Sequence, residues 1–231
     1  MRTRARGRCC LAATALGAEC AQSAHFFLFL ECKEDVIMKI YDITQPLFEC
    51  VVFPGDPAPQ KQTLMEVSKG EVCNLTAFSM CAHNGTHVDA PYHFLDEGKK
   101  LDELPLETWI GEVFVADHEG DVTEEDAKAM LARSGGAKRL LVKGKSVITS
   151  QAAKVFAQAG LLLVGNESQT VGPEDAPKEV HLILLGAGMA LLEGVRLEKV
   201  PEGNYLLHAA PLNLGAVDGA PCRAVLLEME K

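Results

Sequence analysis

From Met38 onward the sequence predicts one α/β domain with a mixed sheet. Short apolar runs alternate with capped helices along the whole body. One run, Leu161–Val164, is apolar at every position, as in a strand covered on both faces. The chain has 231 residues, 48% hydrophobic and 23% charged, enough for one sizeable core of ordinary composition.

Each element follows from local pattern. Ile40–Thr44 reads as the first strand. Pro54-Gly55-Asp56-Pro57 is a turn, because two prolines and a glycine exclude regular structure there. Leu75–Cys81 reads as a strand running towards a histidine-rich segment, and Glu112–Asp117 alternates as another. Thr123-Glu124-Glu125-Asp126 opens a helix, with Thr123 as N-cap and acidic groups on the positive end of the dipole. Its apolar stripe is Ala127, Met130 and Leu131, and Gly135-Gly136 ends it. Leu140–Lys143 is a strand. Thr149 or Ser150 caps a second helix that stops at Gly160. Glu179–Leu185 is helical; Met189–Glu193, Tyr205–Ala209 and Arg223–Glu228 are strands. No internal repeat, linker or low-complexity stretch interrupts this body.

Residues 1–37 differ in kind. Arg2, Arg4, Arg6 and Arg8 precede apolar stretches at Cys9–Ala18 and Phe26–Leu30, but Glu19 and Gln22 interrupt the signal-peptide pattern. The expected boundary is Met38, with residues 1–37 an upstream extension that is non-native or disordered. Lys33-Glu34-Asp35 is compatible with codons that contain a bacterial ribosome-binding sequence at a suitable distance from Met38.

The formal net charge is −10, without a basic block in the body, which argues against nucleic acid as a partner. No apolar run approaches the roughly 20 residues a membrane span needs. The eight cysteines contain no CxxC pair, so reduced thiols in a cytoplasmic protein are expected rather than a disulfide frame.

Four groups able to bind a metal or move a proton lie in His83-Asn84-Gly85-Thr86-His87-Val88-Asp89-Ala90-Pro91-Tyr92-His93-Phe94. Three of the seven histidines fall there. Imidazole and carboxylate suit zinc, manganese or iron, and a site with an open position activates water. Gly85 disfavours a helix by about 1 kcal/mol and Pro91 blocks its continuation, so a strand end followed by a turn is expected. In an extended segment His87 and Asp89 point to one side, and Gly85 lets the chain bend so that His83 joins them. His93, beyond Pro91, is free to lie across the bound water. Cys81 reads as a small buried hydrophobe, His118 as a solvated loop residue and His208 as structural, at a strand end. His181 needs a partner among Val180, Leu182 and Ile183, and Glu193 closes an apolar strand; from the residues alone both are suspects only.

The string His-x-Gly-Thr-His-x-Asp-Ala-Pro-x-His-Phe resembles the signature of the metal-dependent cyclase-like hydrolases, which include bacterial kynurenine formamidase and isatin hydrolase. The resemblance extends over residues 38–231, taking in Asp42–Leu47, Phe53–Pro57 and Pro211–Leu214. It implies a compact α/β domain with a mixed, barrel-like sheet flanked by helices, seen as a homodimer or homotetramer. It implies His83, His87 and Asp89 as metal ligands, with Asp89 able to bridge two ions, and His93 as catalytic acid and base. His181 and Glu193, twelve residues apart, match a second-site histidine and glutamate. The implied cofactor is one or two divalent ions, zinc or manganese.

The chain departs from the family at Gly165–Pro173, where a stretch of Asp-Thr-x-Ser-x-Asp type is usual. Glu167 stands in for an aspartate there. This segment, with Glu167 and Gln169, is expected to line the substrate pocket, and Phe53 to add an aromatic wall. The expected function is hydrolysis of a small-molecule formamide or cyclic amide by metal-activated water. A lactonase or other amide or ester hydrolase, and a non-catalytic metal-binding protein, are the alternatives.

Overall fold

The computed structural model of the protein describes residues 38–229, so the expected extension at 1–37 lies outside the described residues. In chain order the strands are β1 (Met38–Asp42), β2 (Gln60–Met65), β3 (Leu75–Ser79), β4 (His87–Asp89), β5 (Ile110–Asp117), β6 (Gly120–Val122), β7 (Arg139–Lys143), β8 (Ser146–Ile148), β9 (Leu163–Asn166), β10 (Ala190–Glu193), β11 (Gly203–His208), β12 (Gly219–Pro221) and β13 (Val225–Met229). The α-helices are α1 (Glu124–Arg133), α2 (Ser150–Gln158) and α3 (Lys178–Gly186).

Nine strands form one sheet in the order β1-β13-β11-β5-β7-β9-β10-β4-β12. It curls into a half-barrel, as the mixed, barrel-like expectation had it. The centre, β5-β7-β9-β10, is parallel, and both flanks are antiparallel. Parallel neighbours need crossovers, and α1, α2 and α3 lie in the connections between these four strands. The caps are as expected. Thr123 Oγ1 accepts from the Asp126 amide at 3.2 Å, while Asp126 Oδ2 accepts from the Thr123 amide at 3.0 Å. Thr149 Oγ1 accepts from the Ala152 amide at 3.2 Å.

Strand alternation separates two cores. On β5, Val113 and Val115 face the layer that holds Trp109, Leu192 and Leu226, while Phe114 and Ala116 face the helices. On β7, Leu141 faces the first layer, and Leu140 and Val142 the second. The helical layer adds Met130 from α1, Phe156 from α2, and Val180, Leu184 and Leu185 from α3. Burying a side chain of this size contributes about 1.5–3 kcal/mol.

The same alternation orients the histidine segment. Val88 packs in the first layer, so His87 and Asp89 point to the helical side. On the adjacent β10, Leu191 packs among the helices, and Glu193, two residues on, shares its face. The segment 87–89 is thus a buried strand between β10 and β12, more than the strand end expected. Two further differences stand out. The strand expected to reach Cys81 stops at Ser79. The polar run Gln60–Met65 forms β2, which pairs with β3 as a separate two-stranded ribbon.

Candidate metal centre

The register of β4 and β10 sets His87 opposite Glu193 and Asp89 opposite Leu191. Helix α3 packs on this face and adds His181 from its first turn. His87, Asp89, His181 and Glu193 are all buried. His87 Nε2 lies 3.5 Å from Asp89 Oδ1 and 3.4 Å from Glu193 Oε2. His181 Nε2 lies 3.3 Å from Glu193 Oε1 and 3.8 Å from Asp89 Oδ2. These separations exceed ordinary hydrogen bonds. They suit atoms around a common ion, since tetrahedral ligands about 2.0–2.1 Å from zinc lie about 3.3 Å apart.

Two further features point the same way. Gly85 O accepts a hydrogen bond from His87 Nδ1 at 3.0 Å, and Pro177 O from His181 Nδ1 at 2.9 Å. A carbonyl only accepts, so each Nδ1 carries a proton and each Nε2 is the nitrogen left facing inward, free to bind an ion once it has no proton of its own. Asp89 Oδ2 is buried without a hydrogen-bond partner. Burial of a carboxylate oxygen without compensation is costly, and a cation would offset it.

His83 is placed differently. Its Nδ1 is 2.8 Å from Asp89 Oδ1 and its Nε2 is 2.8 Å from Asp218 Oδ2. Both ring nitrogens face carboxylates, so a ligand role for His83 requires it to give up one of these bonds. His93 stacks on His83, with ring centroids 4.0 Å apart, and its Nδ1 is 3.1 Å from the same Asp218 oxygen.

Charges reinforce one another here. Burial disfavours a charged His83, but Asp89 and Asp218 outweigh it and raise its pKa to about 11. Burial would raise the Asp89 pKa, yet the charge and hydrogen bond of His83, with His87 and His93, bring it well below the usual carboxylate range. Hydrogen bonds from His83 and His93 depress Asp218 in the same way. Burial and the charge of Asp89 push Glu193 up, while His181 and His87 pull it down further.

Backbone geometry holds this arrangement. Gly85 has φ +66°, in the left-handed region, and an added Cβ would lie 3.0 Å from Cys50 Cβ. Its carbonyl binds both His87 and Gln169 Nε2. Thr86 Oγ1 donates to Gly194 O at 2.7 Å and accepts from the Gln45 amide at 2.9 Å, which ties the start of β4 to the end of β10.

A cavity of about 260 Å³ opens on the cluster, lined by His83, His87, His93, His181 and Glu193 together with Phe53, Asp56, Phe94 and Gln169. Of the residues expected to meet substrate, Phe53 and Gln169 line this cavity. Glu167 lines a neighbouring groove instead. Its oxygens accept from the Gly144 amide at 2.7 Å and the Leu197 amide at 2.8 Å, so it clasps two loops together. Cys81 is half-buried, with Sγ 3.8 Å from Asp56 Oδ2, and belongs to none of the metal-capable clusters among the described residues. His208 is exposed at the end of β11, and His118 Nε2 binds the Asp121 carbonyl. Asp218 was missed from the sequence. It sits in Val217-Asp218-Gly219, which has only the signal of a turn.

Known proteins share this arrangement of chain. A family model described as "Putative cyclase" matches residues 41–172. A kynurenine formamidase of Erythrobacter litoralis is 31% identical over 205 residues, covering 83% of this chain and 94% of that protein. A solved structure described as a potential metal-dependent hydrolase with cyclase activity superposes with a TM-score of 0.73 at 27% identity, over 84% of this chain and 100% of that one. Isatin hydrolase A from Labrenzia aggregata shares the fold, with a TM-score of 0.74 at 22% identity, over 84% and 94%.

Proposed function

The chain belongs to the cyclase family, and from that premise we propose that it is a metal-dependent amide hydrolase that cleaves an aryl formamide, the chemistry its kynurenine formamidase relatives are named for. The observation that carries this reading is the inward convergence of two imidazole Nε2 atoms and two buried carboxylates, with Asp89 Oδ2 unpartnered.

The donor set fits two divalent ions. Asp89 offers Oδ1 to the side of His83 and His87, and Oδ2 to the side of His181. Glu193 likewise turns Oε2 to His87 and Oε1 to His181. Nitrogen and oxygen donors without a thiolate suit zinc or manganese. Bound there, a divalent metal would supply an acidic water, ionising at about pH 7, and a Lewis acid for the amide carbonyl.

The protein's own groups do the rest. Asp218 accepts from His93 Nδ1, which leaves Nε2 as the nitrogen that serves the cavity. His93 takes a proton from the attacking water as oxygen bonds to the carbonyl carbon. It returns that proton to the nitrogen as the C–N bond breaks, releasing formate and an arylamine. Phe53 and Phe94 flank the aryl group.

The test is exhaustive chelation followed by readdition of zinc or manganese, with formate release from N-phenylformamide as the readout. We expect loss and recovery of activity; undiminished turnover after metal removal would overturn the reading.

We also propose a homodimer in the cytoplasm. Free thiols at Cys50, Cys73, Cys81 and Cys222 support the compartment. The ribbon β2–β3 supports the dimer: two strands alone are marginal in water, and Leu64, Leu75 and Phe78 are each about half exposed, at 50%, 45% and 56%.

A further inference from the structure

Gln45 joins the strands that carry the cluster to the aromatic wall of the cavity. It is buried, at 4% exposure. Its backbone amide donates to Thr86 Oγ1 at 2.9 Å, its Nε2 donates to Gly194 O at 2.7 Å, and its Oε1 accepts from the Val51 amide at 2.9 Å. A carbonyl only accepts and a backbone N–H only donates, so these two neighbours fix which way the side-chain amide is turned. Thr86 directly precedes His87, and Gly194 directly follows Glu193. Gly194 has φ +68°, and a Cβ there would lie 2.6 Å from Gln45 Nε2, so a bare backbone is what admits the glutamine.

Val51 belongs to the segment 46–57, which holds no strand and one short helical turn, Leu47–Glu49. Among the described residues, no other hydrogen bond ties the backbone of this segment to the rest of the chain. Its remaining backbone bonds are internal, as in the turn closed by the Asp56 amide on the Phe53 carbonyl at 3.1 Å. Phe53, two residues beyond Val51, lines the metal cavity. One side chain therefore sets where the aromatic wall stands relative to His87 and Glu193. We propose that Gln45 is a positioning residue for the hydrolytic reaction: it clamps the segment 46–57 to the β4–β10 seam and so fixes the depth at which Phe53 holds the substrate over the metal cluster. This inference rests on the hydrolase reading above. A displacement of about 1 Å in such a wall is enough to slow a reaction severely, even though Gln45 touches neither substrate nor metal.

The test uses the metal-loaded full chain with N-phenylformamide and follows kcat and KM separately, with metal content measured alongside. Gln45→Met keeps the length of the side chain and loses both the donor to Gly194 and the oxygen that holds Val51. We expect kcat/KM to fall about tenfold or more, mainly through KM, with the metal retained. The same substitution in a Phe53→Ala background should change kcat/KM by less than about twofold, because the wall it positions is already gone. An equal loss in both backgrounds, or a loss confined to kcat, overturns the proposal, since a merely structural role acts without Phe53. Val51→Pro removes the same bond from the exposed side; Cys50, extended at ψ 161°, already has the backbone that a residue before proline needs. This variant should reproduce the rise in KM, and an unchanged KM there overturns the proposal even if Gln45→Met does not fold. If neither variant folds, Gln45 is structural only and the proposal falls. A wild type that does not cleave N-phenylformamide overturns the hydrolase reading and the positioning role with it, a result distinct from cleavage that is indifferent to Gln45.

Discussion

His93 and Asp218 act as a pair, and their variants should separate. Removing the imidazole in His93→Ala removes the proton carrier. We expect turnover to fall about 10²–10⁴-fold with metal content unchanged, as read by formate release and elemental analysis. Asp218→Asn should leave the imidazole in place but disturb its orientation, so kcat should drop more than KM rises, and by less than in His93→Ala. Metal uptake should also be coupled to protons. Burial opposes charge on His87 and His181, but Glu193, then Asp89, raise both pKa values above the ordinary histidine value. The proton is thus held to higher pH and must leave when an ion enters, so affinity should weaken as pH falls, from a higher pH than an ordinary histidine site would show. Calorimetry in buffers of different ionisation heat would count the released protons; zero release would contradict this. At this scale the sequence was informative where chemistry is local. His87 and Asp89 share a face because side chains alternate along a strand. Asp218 was illegible because its role comes from a contact 125 residues away in sequence.

Elements decide what the residues can reach. The segment 87–89 is only three residues long, too short to declare itself a central strand, and its pairing with β10 and β12 is entirely non-local. His181 and Glu193 remained suspects for a related reason: a helical pattern and an apolar strand do not reveal that α3 packs over the end of β10. The capped helices were legible because Thr123 and Thr149 signal through groups three residues away. Ribbon β2–β3 was not, since Gln60–Met65 is too polar to resemble a strand. Its exposed apolar groups lead to a prediction at this level. Phe78→Glu should shift the protein from dimer towards monomer in size-exclusion chromatography with light scattering, with little change in far-ultraviolet circular dichroism. A wild type that is monomeric, or a variant that stays dimeric, would remove the ribbon from the interface.

Across the whole molecule, the cluster fastens three elements that are far apart in sequence: β4, β10 and α3. An ion that binds the folded state far better than the unfolded chain adds RT ln(1 + [L]/Kd), about 2.7 kcal/mol when its concentration is a hundredfold above Kd. Stripping the metal should therefore lower Tm by several degrees, and calorimetric titration back with zinc or manganese should restore it; an unchanged Tm would mean that the ion does not brace the fold. The two-layer arrangement was readable from the order of apolar runs and capped helices, whereas the half-barrel curl depends on the antiparallel flanks, which short strands with distant partners build. With His87 facing Glu193 and Asp89 beside them on a two-residue repeat, point changes along this seam disturb one donor at a time. Deleting or inserting a single amino acid between Gly85 and His87 would instead rotate both donors onto the opposite surface together. The seam can drift by replacement, but any shift in its phase erases the whole constellation at once.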